Sequence, residues 1–195
     1  MGTGWQILWL ACGVITLVAS VLASRSARAR YAGRAAVGVL FVIGGALLHV
    51  INLATGGDYA SFADPAHFTW VRDAWRAVVA PNQLFFIGLL AVFEAIVGVL
   101  VVSGGRRTQL GYLGVIAFYL ALWLFGWIET VWCIAMLPPM LLLLRAERAA
   151  SSNHVEASPT QGSRPRAQPP HGQGGRSEEE VGRCRVPADV WEDHA

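Results

Sequence analysis

Three long apolar runs set the pattern of this chain: Trp5 to Ala23, Ala35 to Leu53, and Leu84 to Val102. Each approaches the roughly 20 residues a helix needs to cross a hydrocarbon core of about 30 Å. A fourth run, Gly111 to Leu144, is 34 residues long and would make a helix of about 51 Å, too long for one upright span. Two spans turning near Gly126 to Thr130 fit it better, because Gly126 can break a helix and Glu129 prefers an aqueous edge. One kinked final helix is the competing reading. The pattern therefore predicts an all-α, polytopic helical membrane bundle over residues 1–145. Its five spans are expected near 5–23, 35–53, 84–102, 110–127 and 129–144.

Between the second and third spans, residues 55–83 form an outer loop. Asp64-Pro65 reads as a helix start, with Asp as the cap and Pro at the first helical position. Phe68, Val71, Trp75 and Val78 then follow at spacings of 3, 4 and 3, while Arg72, Asp73 and Arg76 occupy another face. This predicts a short amphipathic helix at headgroup depth, with Trp70 and Trp75 as interface residues and Pro81 as its end. It could equally be a lid over the bundle's outer end or a site where a partner docks.

Composition sharpens the division. Residues 1–145 hold 93 hydrophobic positions of 145, whereas residues 146–195 hold 13 of 50. The second segment is too polar to build a core and reads as a disordered cytoplasmic tail, with a possible docking motif at Val186 to Trp191. The net charge of +2 is no basic patch, so nucleic acid is not an expected partner. All 15 basic residues are Arg, which hints at a GC-biased bacterial genome.

Arginine placement orients the spans, since cytoplasmic loops collect basic residues. Arg25, Arg28, Arg30 and Arg34 follow the first span, Arg106 and Arg107 the third, and Arg145 and Arg148 the last. Five spans with the N-terminus outside put all eight on the cytoplasmic side, whereas four would strand the last two outside. No basic residue precedes the first run, so it reads as an uncleaved anchor rather than a signal peptide.

Ionisable groups at membrane depth are costly and usually face a bundle interior. Glu94 lies midway along the third span, beside a stripe of Gly88, Ala91, Ala95 and Gly98 that would let a neighbouring helix approach closely. Its carboxyl must be protonated or find a donor there. In the second span Gly38, Gly45, His49 and Asn52 share a face. The axial offset between His49 and Glu94 comes to about 10 Å from the helical rise, which makes a direct bond doubtful and a bridge through water or a headgroup the alternative. Tyr112, Tyr119, Trp123 and Gly126 share a face of the fourth span. Most such aromatic stripes are plain packing; with His49 and Glu129 these could instead line an amphipathic slot for a quinone ring or a lipid headgroup.

Other chemistries find no support. A membrane b-type haem usually needs two axial histidines, and His49 is the one histidine within a predicted span. Cys12, Cys133 and Cys184 form no C-x-x-C, and neither a phosphate-binding glycine loop nor H-E-x-x-H occurs. No metal site is expected, and no self-contained catalytic motif marks the chain as an enzyme. Val37-Gly38-Val39-Leu40 recurs as Val97-Gly98-Val99-Leu100. The copies begin one span and end another, so no inverted repeat follows.

Arg34, Gly38, Phe41 and Gly44-Gly45 in one span, with Glu94, Gly98, Gly104 and Arg106-Arg107 in a later one, resemble the pattern of the DoxX-like family of small bacterial membrane proteins. The resemblance covers roughly residues 34–144. It implies a multi-pass protein of the bacterial cell membrane that accompanies membrane or cytoplasmic oxidoreductase subunits, some of them linked to quinone reduction. The expectation is thus an accessory subunit that interacts with quinone or membrane lipids. A scaffold or envelope protein recruiting partners through the tail or outer loop, and a small oligomeric transporter, are the alternatives.

Overall fold

The computed structural model describes residues 3–156, and every regular element among them is helical. Five helical tracks follow one another. α1 is Thr3–Leu22, α2 is Ala27–Ala54, α3 is Thr69–Val102, α4 is Gly105–Phe125, and α5 is Trp127–Glu156. α2 to α5 are long and apolar enough to cross a membrane, and α1 adds a shorter apolar stretch over Gln6–Leu22. The protein is a multi-pass helical membrane protein. The turn near Gly126 separates two helices that pack on each other, so the final apolar run is not one kinked helix.

Tight turns impose the up-and-down path. Ser26 adopts an extended conformation and its hydroxyl accepts from the Ala29 amide at 3.3 Å, capping α2. Gly104 and Gly105, at φ 87° and 58°, form the turn into α4 in backbone regions that favour glycine. There the Thr108 hydroxyl accepts from the Gly104 amide at 2.8 Å and donates to the Val101 carbonyl at 2.9 Å. Each helix packs on its neighbour in sequence, and α5 returns to α1 and α2, closing a ring. Cys12, Val37, Phe41, Val101, Tyr112 and Met140 are among the residues that fill its centre.

The outward faces are apolar too: Leu10, Val14, Leu89, Val92, Ile96 and Ile134 are all exposed. A water-soluble bundle would carry charge there. The buried polar residues Thr16, Ser20, Glu94, Thr108 and Glu147 instead face inward, as a hydrocarbon solvent requires.

Several boundaries differ from the hydropathy reading. α2 begins at Ala27, so Arg28, Arg30 and Arg34 ride its first turns and Arg25 alone lies in the preceding turn. Arg106 and Arg107 likewise belong to the first turn of α4, and α5 runs past Arg145 and Arg148 to Glu156. Hydropathy ends a span at the first charge. Arginine, however, is a good helix former whose long stem lets its charge reach the interface. The expected tail therefore starts too early at 146. Its remainder, including Val186 to Trp191, lies outside the described residues.

The outer segment also departs from expectation. Asp64 caps no helix: its carboxylate accepts from Arg76 at 2.7 Å, and the helix starts after Phe68, which is extended. Nor does Pro81 end it. Proline needs no amide partner in a first turn, and Pro81 occupies such a position in the short turn Ala80–Asn82 that leads into the spanning part of α3.

Candidate functional site

A glycine pair in α2 creates the site. Val42–Leu47 forms a π-helical turn, the kind of bulge that often accompanies functional positions. Gly44 and Gly45 within it meet different neighbours. The Gly44 carbonyl accepts from Trp9 Nε1 of α1 at 3.3 Å. Against Gly45 lies the Glu94 carboxyl of α3: a Cβ placed on Gly45 would sit 2.7 Å from Glu94 Cδ. One turn away, a Cβ on Gly98 would lie 3.3 Å from the Gly38 carbonyl oxygen, so the two backbones nearly touch. This close approach brings Glu94 over α2 and leaves it 4% exposed. Gly88 takes no part in the seam, since nothing lies within 4 Å of a Cβ placed there.

Glu94 Oε2 is 3.5 Å from His49 Nε2. The two groups are thus in contact, while the direct bond doubted from the axial offset is not made at hydrogen-bond length. Side chains on a helix lean toward its N-terminus. α2 and α3 are antiparallel, so His49 and Glu94 lean toward each other, and the gap between their backbones closes from both ends. At 3.5 Å the pair is in contact without a hydrogen bond of ordinary length, and Glu94 Oε2 is left without a hydrogen-bond partner.

The other imidazole nitrogen, Nδ1, is 2.9 Å from the Tyr59 hydroxyl. Tyr59 comes from the outer segment and is fixed at its backbone. Its amide donates to Gln83 Oε1 at 3.1 Å, and its carbonyl accepts from Trp75 Nε1 at 2.8 Å. Trp75 itself packs on Phe62 and Phe125, with ring centroids 5.2 and 5.3 Å away. An aromatic cap thus holds Tyr59 against His49.

The remaining candidates fall elsewhere. Asn52 lies against Gly57, and its carbonyl accepts from the Gly57 amide at 2.7 Å, so it finishes α2 rather than joining Glu94. Tyr119 is buried in α4, edge-on to Phe41, with its hydroxyl unpartnered. Trp123 packs near His67 and Phe68 at the outer end, and Glu129 folds over Gly126 beside Pro65. The residues of the slot imagined from His49, Tyr119, Trp123 and Glu129 thus fall apart: Tyr119 in the core, His49 against Glu94 and Tyr59, and Trp123 and Glu129 in the cap. His67 pins that cap: its Nε2 is 2.8 Å from Thr130 Oγ1, and its amide donates to the Leu124 carbonyl at 3.1 Å.

At the opposite end Arg34 grips Glu147 through one edge of its guanidinium, Nε donating to Oε1 at 2.9 Å and Nη2 to Oε2. Glu147 is 3% exposed. This bidentate geometry ties α2 to α5. Arg25, Arg28, Arg106, Arg107, Arg145 and Arg148 are exposed and, by the path of the chain, lie at the same end.

Tyr59, His67 and Glu147 were not singled out from the sequence. Tyr59 lies in a loop without periodicity, and His67 falls in the first turn of the predicted outer helix, off its apolar stripe. Glu147 sits between arginines just past the last apolar run and reads there as the start of a tail. Among the described residues no group of three His, Cys, Asp or Glu side chains could hold a metal ion. No family model matches the chain, and neither the curated proteins nor the solved structures contain a match to it.

Proposed function

We propose that the protein is an accessory membrane subunit that holds the polar end of a quinone or a lipid at Glu94 and His49. The observation that carries this reading is Glu94 Oε2, buried within the bundle and without a hydrogen-bond partner, beside an imidazole that can donate or accept. An unsatisfied buried oxygen is costly, and a ligand hydroxyl, carbonyl or headgroup amine would satisfy it. His49 is partly exposed, and its neighbours Val50 and Ile51 present apolar surface along which an amphiphile could enter from the bilayer. The likeness to DoxX-like proteins supports placing the partner among oxidoreductases of a bacterial cell membrane.

Binding is measured on the full chain in nanodiscs of zwitterionic lipid by quenching of tryptophan fluorescence, with a short-chain ubiquinone and with phosphatidylglycerol carrying brominated acyl chains as separate probes. Saturable binding of either that weakens at least tenfold in Glu94→Leu, with folding intact, is the expected result. If Glu94→Gln and Glu94→Leu both leave binding unchanged, the site is misplaced. Capture in mild detergent, using the full chain and a chain ending after Glu156, identifies the partner and tests recruitment through the tail. Cutting after Arg148 would instead sever α5 next to Glu147.

A further inference from the structure

We propose that Glu94, His49 and Tyr59 form a proton-conducting chain that joins the bundle interior to the aqueous face opposite the arginines, with Tyr59 as its outermost member. The chain shares Glu94 and His49 with the binding reading but needs no bound ligand.

Three observations support it independently. First, the three groups are in sequence: carboxyl to imidazole at 3.5 Å, imidazole to phenol at 2.9 Å. The imidazole meets its two partners through opposite ring nitrogens, the arrangement in which accepting a proton on one side frees a proton on the other. Second, Tyr59 does not depend on its hydroxyl for its place, because Trp75 and Gln83 hold its backbone. The phenol is thus presented to His49 rather than stabilised by it. Third, the chain stops just short of water: Tyr59 is buried, but Asp58 beside it and Ser61 two residues on are exposed. From α4 the buried Tyr119 packs edge-on to Phe41 and has no hydrogen-bond partner to carry a proton onward.

The proton count closes. Protonated Glu94 passes its proton to His49 Nε2, and His49 Nδ1–H passes one to the Tyr59 oxygen. The Tyr59 O–H proton goes to water. One proton leaves, Glu94 becomes a carboxylate, and His49 remains neutral in its other tautomer. The first transfer needs the carboxyl and imidazole to approach by about 0.5 Å to reach hydrogen-bond length. The Glu94 side chain has to rotate to make it, and at Gly45, where the carboxyl lies, no Cβ stands in the way.

The test follows the carboxyl of Glu94 by time-resolved infrared spectroscopy after a pH jump, on the full chain in nanodiscs. The protonated-carboxyl band is assigned by its loss in Glu94→Gln. Tyr59→Phe and His49→Phe are expected to slow its response at least tenfold, while Tyr31→Phe at the arginine end leaves it unchanged. Circular dichroism checks folding, and His49→Gln replaces His49→Phe if that variant fails to fold. A wild-type rate in Tyr59→Phe overturns the proposal, as does a carboxyl band that Glu94→Gln leaves in place. Absence of ubiquinone or lipid binding alongside a slowed Tyr59→Phe response removes the binding reading and leaves this one standing. Binding with an unslowed response does the reverse.

Discussion

At the scale of single residues, Gly45 decides what Glu94 can do. A methyl group at Gly45 would fall 2.7 Å from the Glu94 carboxyl carbon, so Gly45→Ala must displace the carboxyl or push α2 from α3. Overpacking of this kind costs about 1–3 kcal/mol. The expected outcome is a lower thermal midpoint in detergent together with loss of the His49-dependent response. Gly88→Ala, with open space around it, should leave the midpoint unchanged or raise it, since alanine favours a helix by about 1 kcal/mol over glycine. The residue types were legible beforehand: an acid and a histidine on seams of small residues stand out in apolar runs. What could not be read was their distance. Straight helices and a uniform rise leave out the lean of side chains and the π turn. Tyr59 was invisible for a different reason, because a loop position becomes meaningful only once its backbone partners, Trp75 and Gln83, are known.

At the scale of elements, apolar runs located the helices but not their ends. Arg28, Arg30 and Arg34 lengthen α2 at its start, and Glu147 lies within α5 rather than in a tail. The opposite failure occurs at Pro81, where the helical path continues into the membrane. One break was readable: Gly126, between α4 and α5. Its φ of 155° and ψ of −178° belong to a region open essentially to glycine alone, costing other residues about 1–3 kcal/mol. A Cβ there would also meet Glu129 Oε2 at 3.0 Å and Pro65 at 3.2 Å. Gly126→Ala should therefore lower the thermal midpoint and loosen the outer cap, seen as faster hydrogen exchange at the His67 and Thr130 amides.

At the scale of the whole molecule, the ring of five helices is closed at one end by Arg34 and Glu147. Removing one partner of a buried pair costs about 3–5 kcal/mol, because the other is left without compensation. Arg34→Ala should thus destabilise strongly in thermal denaturation. Adding Glu147→Leu to it should recover much of the loss, and no recovery would mean the pair is incidental to closure. The alternation of turns sets a further test. In intact cells a membrane-impermeant maleimide should label a cysteine placed at Asp58 but not one placed at Ser103. Labelling at Ser103 would reverse the orientation argued from the arginines.

The π turn at Val42–Leu47 also makes α2 a helix with two phases. Residues before it, such as Arg34 and Gly38, take their bearing from one end of the bundle, and His49 takes its bearing from the other. The wide turn takes up one residue more than ordinary winding would. Deleting one residue within it should therefore restore the α-helix and leave His49 facing Glu94 and Arg34 on Glu147, whereas the same deletion in regular helix would swing everything beyond it by about 100°. The surplus residue thus sets which position of α2 meets Glu94, and this turn is the one place where α2 can shorten without parting the two ends of the molecule from their partners.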